Sequence, residues 1–583
     1  MKETPTSAVN RDDESLGSPA IKLFKPVTPR KLGIKCPPSL RNRVQSTCLD
    51  DAAHLKTYMR LWVFIEVMLL FHDPFLIPRD AYVNYVYPQL AAFALAFLAP
   101  NGWTFAAAFA ARSAMYFAQM PAIWESNYWA TFADLAFVVN SIAAPDRHAI
   151  RQSAAPVRTV VGLFYFGSGF WKLNTAFLSP KVSCACIYMA SLMGMAPVLP
   201  TRLVQSAIRA APLLTAGGEL LLGTCLLVPV HRARRVGVVL AAILHFTIAI
   251  TPAPNAVPAF GAFCMVRMFF ALPEAWSAAI QEALSMPSTL SAAAARLAAV
   301  GVVAASTTFD SNTPPGVVDY ALPAVTALCL LGVRAVTLDL ARAEPFRKNT
   351  GRVRKTGNAA LLTVVLFYVF AALPLGLMDI SATSPFSQIR AHGGSNHLFM
   401  PMATSHEGGI VRVTYSTNSY LNRMYPGETS ELLPPRSVEL LEGAGHAAIQ
   451  FMPTVMIVLG QRFRDSLPHP FSPYTVPALE LRRVLAEARA ASSEPFVIEY
   501  EHLPGSVGDE RWRQEAMEST VRLSDNGRGG RSCRIRAAGA YFWKACADDE
   551  PGLLPAPSGW LAKIRIFFPL PVHAGLEELP CID

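Results

Sequence analysis

A succession of apolar runs constrains this chain more than any other feature of its sequence. Stretches near 57–76, 83–100, 103–121, 128–144, 157–176, 211–229, 236–253, 257–273, 289–307, 319–340 and 359–378 carry few charges. Most approach the ~20 residues that a helix needs to cross a bilayer. A lipid interior satisfies no backbone group, so runs of this length are expected as spanning helices. One of them, residues 157–178 (VRTVVGLFYFGSGFWKLNTAFL), holds only two charges, Arg158 and Lys172. A lysine at membrane depth costs roughly 2.5–3.5 kcal/mol on insertion scales and by default marks a functional position. A lysine that snorkels to the headgroups is the plainer alternative.

Composition points the same way. Of 583 residues, 52% are hydrophobic and only 16% charged, against about 25% charged in soluble domains. Much of the net charge of +9 lies just outside the apolar runs, where it sets topology rather than binding nucleic acid. No zinc spacing, P-loop or dinucleotide fingerprint occurs. Cys184, Cys186, Cys225, Cys264 and Cys329 lie in or beside apolar runs and are expected as small apolar residues.

The order of these features suggests three parts. Residues 1–55, Pro-rich and basic, are expected as a disordered cytoplasmic tail without the apolar core of a cleavable signal. Residues 56–378 form the helical membrane part. Three basic segments, at 22–43, 231–235 and 342–355, face the cytoplasm together only if even numbers of crossings separate them. The segment 182–200, interrupted by Gly194 and Pro197, is then best taken as re-entrant or interfacial. That choice puts Lys172 and everything after Met378 toward the non-cytoplasmic side. Residues 379–583 gain charge and turns: 410–415 (IVRVTY) and 496–500 (FVIEY) have strand composition, and 476–491 has helical periodicity. Cys533 and Cys546 could pair in an oxidising compartment.

The expected fold is therefore an all-α polytopic membrane bundle of about nine to eleven spanning helices, followed by an extracytoplasmic mixed α/β domain. The expected location is the endoplasmic reticulum or another endomembrane, with the N-terminus cytoplasmic and the C-terminal domain lumenal or extracellular. Within the bundle, Tyr165, Ser168 and Gly169 share the helix face of Lys172 at spacings of seven, four and three. Gly167 and Gly169 would let a neighbouring helix approach closely. Glu66, Asp134, Glu219, His245 and Arg267 are further ionisable groups within apolar runs. Isolated burial of each costs several kcal/mol, so convergence on one polar cavity is expected. A lysine desolvated there can serve as a base or nucleophile; otherwise it stays charged and pairs with Glu219.

The run from Phe164 to Asn174 (FYFGSGFWKLN) resembles a signature helix of the vitamin K-dependent gamma-carboxylases and the horizontally transferred transmembrane (HTTM) domain family. Glu219, and His245 one helix later, are similar to that family's downstream pattern, and the resemblance covers roughly residues 55–275. It implies a lyase/epoxidase in which Lys172 deprotonates a reduced quinone, a vitamin K-like hydroquinone, held as a lipophilic small molecule in the bilayer. It places Asn127, in the segment Trp124-Glu125-Ser126-Asn127, where the family carries an assisting histidine; Asn hydrogen-bonds but exchanges no proton near neutrality. Tyr165, Ser168, Glu219 and His245 would form the cofactor-binding shell. The segment 393–401 (GGSNHLFMP) is similar to a stretch of uncharacterised members of the wider family, where Asn396 and His397 could hold a ligand or stabilise a turn. Two other classes fit the same residues: a membrane carrier or channel, and a non-catalytic scaffold whose charges merely pair.

Overall fold

The structure is a computed structural model. It describes residues 51–72, 82–119, 125–142, 146–251, 259–285, 317–338, 352–375, 387, 389, 397–400, 410–424, 431–432, 435–446, 450–451, 474–491, 493–503, 519–537 and 539–557. The expected run at 289–307 and most of the N-terminal tail lie outside these residues.

The first part is helical: α1 (Asp51–His72), α2 (Tyr87–Leu98), α3 (Gly102–Gln119), α4 (Glu125–Ile142), α5 (Asp146–Trp171), the short α6 (Thr175–Leu178), α7 (Cys184–Gly194), α8 (Thr201–Leu227), α9 (His231–Ile250), α10 (Phe260–Arg267), α11 (Pro273–Ser285), α12 (Val317–Thr337) and α13 (Arg352–Phe370). Helix α1 starts at Asp51, inside the expected tail; an acid in a first turn complements the helix dipole. Among the described residues α8 and α9 are long and apolar enough to cross a membrane, and much of that apolar surface faces outward. Leu213, Leu214 and Leu221 on α8 and Ile243 on α9 are exposed, as a lipid-facing stripe requires. The expected run at 257–273 is met, among the described residues, by the helical stretch Phe260–Ala271, and Pro273 at its end opens a second helix bent from it by 118°. Helix α7 has 11 residues, too short to span.

Close crossing of α5 and α8 positions the interior. A Cβ at Gly169 would lie 2.7 Å from the Leu220 nitrogen and 2.8 Å from the Ala216 oxygen. A Cβ at Gly223 would press on the Phe166 nitrogen and lie 2.8 Å from the Gly162 oxygen. Small residues on both helices thus bring the backbones together, with Arg158 Nε donating to the Leu226 carbonyl at 3.1 Å.

The C-terminal part is built on an antiparallel six-stranded sheet, ordered β4-β1-β5-β6-β7-β8. Its members are β1 (Ile410–Ser416), β4 (Tyr474–Pro477), β5 (Phe496–Leu503), β6 (Ser519–Asp525), β7 (Arg531–Ala537) and β8 (Lys544–Ala545); a separate pair, β2 (Glu431–Leu432) and β3 (Gln450–Phe451), stands apart. Helices α14 (Ser419–Met424), α15 (Pro435–Ala444) and α16 (Ala478–Ala491) complete it. Both expected strands and the expected helix are present. Val411, Val413, Ile498, Tyr500, Val521 and Leu523 pack with Leu481, Val484 and Leu485 of α16 in one core. The charged stretch at 479–483 is salt-bridged: Glu480, fully buried, holds Arg483 at 2.6 Å.

At the far end of β5, Tyr500 donates to Glu550 at 2.6 Å and accepts from the Gly552 nitrogen at 3.1 Å, while His502 Nε2 meets the same carboxylate at 2.9 Å. Burial, reinforced by Glu550, pushes the Tyr500 hydroxyl well above its usual range. Cys533 and Cys546 form a disulfide. Cys184 departs from its expected role: it is disulfide-bonded, whereas Cys186, Cys225, Cys264 and Cys329 are buried free thiols.

The α5–α8 crossing generates a prediction. Gly223→Leu forces the helices apart at the Phe166 backbone and should cost about 1–3 kcal/mol. A lower unfolding temperature of the detergent-purified chain, against an unchanged one for Gly217→Leu in open space, checks it.

Candidate functional site: a buried lysine–carboxylate pair

Lys172 lies in the turn that closes α5. Its amide still reaches the Ser168 carbonyl, 3.3 Å away, so the side chain keeps the helical register expected from the sequence. Nζ donates to Ser168 Oγ and to Glu219 Oε2, both at 2.8 Å, and Ser168 Oγ donates to the same Glu219 oxygen at 2.9 Å. Glu219 stands on α8, delivered by the close α5–α8 crossing. Lys172 is 2% exposed and Glu219 9%, so the ion pair is effectively out of water. The Phe177 ring centroid lies 5.7 Å from Nζ.

Tyr165 and His245 form a second pair, with the hydroxyl 2.5 Å from His245 Nε2. Seven residues, about 10 Å along a helix, separate Tyr165 from Lys172. His245 is fully buried on α9, and its Nδ1 has no hydrogen-bond partner among the described residues. Asn127 is buried on α4, where its carbonyl accepts from Thr131 Oγ1 at 2.7 Å. Among the described residues no hydrogen bond joins its side chain to Lys172.

The other charges of the apolar runs converge, but not on Lys172. Glu66 of α1, Asp134 of α4 and Arg267 of α10 meet Arg112 of α3, a member the sequence reading missed. Arg112 Nη1 lies 2.6 Å from Glu66 and 2.7 Å from Asp134. Arg267 Nη2 lies 3.0 Å from Glu66 and is also paired with Asp134. Trp62 Nε1 donates to Asp134 at 3.2 Å, and the Phe263 carbonyl accepts from Arg267 at 2.7 Å. Two carboxylates and two guanidiniums give a neutral buried quartet that ties four elements together. Trp129 separates it from the lysine side, its ring 5.8 Å from the Arg267 guanidinium and 6.4 Å from the Tyr165 ring. Arg112 was legible by the same rule as Lys172, being a lone cation amid the apolar run GWTFAAAFAARSAMYFAQ.

A C-terminal segment seals the end of α5. The Asn174 amide donates to the carbonyls of Trp171 at 2.8 Å and Ser387 at 2.6 Å, while its carbonyl caps α6 by accepting from Phe177. His397 bridges to Asn174 and packs on the rings of Phe170 and Trp171, with centroids at 4.7 and 5.2 Å. His397 Nδ1 accepts from the amides of Phe399 and Met400, so its proton is on Nε2, which donates to the Phe170 carbonyl at 2.9 Å. Burial pushes this imidazole down, in keeping with a neutral ring. Of the two alternatives for His397, turn stabilisation is the one these contacts satisfy; Asn396 lies outside the described residues.

The model of a domain family of unknown function (DUF8388) matches residues 389–563. That stretch is the sheet part together with the His397 segment. No curated protein and no solved structure matches the chain. The carboxylase-like resemblance therefore rests on residues 164–174, Glu219 and His245 themselves.

The quartet gives a second prediction. Arg112→Met leaves two buried carboxylates facing one cation and should destabilise the chain by about 3–5 kcal/mol, whereas Arg112→Met with Glu66→Leu restores neutrality and recovers most of that loss. Thermal unfolding of the three proteins measures it.

Proposed function

We propose that this membrane-associated chain performs proton-transfer chemistry on a lipophilic, quinol-like molecule, with Lys172 as the base. The observation that carries the reading is the Lys172–Glu219 contact: an amine and a carboxylate, both buried, sharing a hydrogen bond of 2.8 Å. Passing the shared proton from Nζ to Oε2 would leave an uncharged amine beside Glu219. The amine lone pair is then free to take a hydroxyl proton, and the resulting ammonium stays beside the new oxyanion. Ser168 holds Nζ in place through both protonation states, because its hydroxyl bonds Lys172 and Glu219 together.

The surroundings suit a flat apolar head. Phe177 already presents a ring to Nζ, and aromatic rings at this distance favour a cation and a planar partner alike. A reduced quinone would supply the hydroxyl proton and the reducing electrons. The Tyr165–His245 pair lies further along the same helix, and Asn127 stands where the resembling family carries its histidine; both would orient the bound molecule. Many further helices spanning the bilayer, and an oxidising, lumenal or extracellular face for the sheet part, belong to the same reading. The disulfides at Cys184 and at Cys533–Cys546 support that face.

A structural role for the pair is the second reading, favoured by the two hydrogen bonds, to Ser168 and Glu219, that Lys172 already makes within the protein. One experiment separates them. The purified chain and Lys172→Ala are compared for bound quinone-like lipid by mass spectrometry and for oxygen-dependent turnover. Loss of the lipid and a drop in turnover of about 10²–10⁴-fold are expected for a base. Counter-ion flux in liposomes abolished by the same change would instead identify a carrier. If both assays stay silent while Lys172→Met/Glu219→Leu folds normally, the pair is structural.

A further inference from the structure

The edge of the C-terminal sheet carries a surface that the bundle chemistry does not use. Strands β7 and β8 pair through only Arg534↔Ala545 and Ile535↔Lys544, and the disulfide Cys533–Cys546 clamps them beside that pairing. The clamp holds out a loop whose tip is Tyr541-Phe542-Trp543. Tyr541 is 92% exposed and Phe542 78%. The Arg536 guanidinium lies 4.9 Å from the Trp543 ring centroid, which fixes the third aromatic against the strand. Exposed aromatic side chains at consecutive positions on a covalently braced hairpin are costly to leave in water.

The hairpin itself carries charge of one sign. From Asn526 to Ala547 the chain contains Arg528, Arg531, Arg534, Arg536 and Lys544 and no acid. Arg531 is answered by Asp525 at 3.7 Å, and the neighbouring Arg522 by Glu499 at 3.5 Å. Arg528, Arg534 and Lys544 are exposed and have no ion pair among the described residues; Arg536 is exposed with Glu501 within its electrostatic reach, and the exposed acids Asp548 and Asp549 lie just past the disulfide.

We propose that the hairpin 528–546 is a membrane-surface anchor that seats in the headgroup layer of a bilayer containing anionic phospholipid. Aromatic side chains with an apolar body and a polar edge settle at headgroup depth. Cations beside them gain from anionic headgroups of the leaflet they face, within a Debye length. An acidic protein would use the guanidiniums but leave Tyr541 and Phe542 in water, so the lipid surface accounts for both halves of the patch. The Leu398 amide donates to the Leu173 carbonyl at 2.9 Å, which ties the chain leading into the sheet to the end of α5. Seating the hairpin would brace the sheet part against the same bilayer that holds α8 and α9.

Hydrogen exchange of the full chain in nanodiscs tests this. Amides of residues 528–546 are compared in phosphatidylcholine discs with and without phosphatidylserine. Exchange slowed roughly tenfold by phosphatidylserine is expected, with the effect reduced at high salt and lost in Tyr541→Ser/Phe542→Ser. Equal exchange in the two lipids would overturn the proposal, as would protection that survives in the double variant. Protection induced by polyglutamate in neutral discs, with none from phosphatidylserine, would assign the patch to an acidic protein instead. Should the serine variant lose protection in β5 and β6 as well, Arg528→Ser/Lys544→Ser carries the same comparison, because both residues are exposed.

Discussion

Burying charge where water cannot reach it is the constraint on which this architecture depends. Lys172 and Glu219 are acceptable inside the bundle only because each neutralises the other at 2.8 Å. Glu66, Arg112, Asp134 and Arg267 are acceptable because two positive and two negative groups close on one another. Such clusters bring little net stability compared with apolar packing, but they penalise every arrangement that separates their members. The helices that carry them are therefore fixed in position by what misplacement would cost.

The two clusters fix different things. The quartet draws on α1, α3, α4 and α10 and sits among aromatic rings, with the Arg112 guanidinium 5.3 Å from the Trp62 ring. Its demand is for four elements at once, which suits a keystone. The lysine pair needs only α5 and α8, and those helices touch through Gly162, Gly169, Ala216 and Gly223 rather than through charge. Packing of small residues sets the crossing, and the ion pair inherits its distance from it. A pair whose geometry is imposed from outside can change protonation without releasing the fold, and that property is what proton chemistry requires.

Much of this was readable in the sequence, for physical reasons that also explain what was not. The i, i+4 relation of Ser168 and Lys172 follows from helix geometry alone, and Glu219 was the carboxylate available within an apolar run to answer the lysine. Strands at 410–415 and 496–500 announced themselves by composition, because a half-buried pleated surface selects β-branched and aromatic residues. The division of the charges into two sets was not legible. Convergence is an energetic necessity, but which charges meet is decided by helix order in space, and Arg112 was passed over although it obeys the rule that singled out Lys172. The end of the run at Pro273 was legible, but the helix that follows it at 118° was hidden because hydropathy is blind to direction. The disulfide at Cys184 was hidden because a cysteine's local sequence says nothing of its partner.

His397 connects the two halves of the molecule and shows what their junction demands. Its ring lies on Phe170 and Trp171, its Nε2 reaches the Phe170 carbonyl, and the next amide bonds to Leu173. These contacts fall on the residues that immediately flank Lys172. The helix that carries the lysine cannot continue, since α6 begins afresh after Asn174, and its last carbonyls need partners in a place without water. The C-terminal segment supplies them. The end of α5 is thus completed by chain that enters more than two hundred residues later. A bundle cut before this segment would keep its quartet and its glycine crossing, yet leave the turn around Lys172 with unsatisfied backbone. The segment around Ser387 and His397 is consequently a structural component of the site.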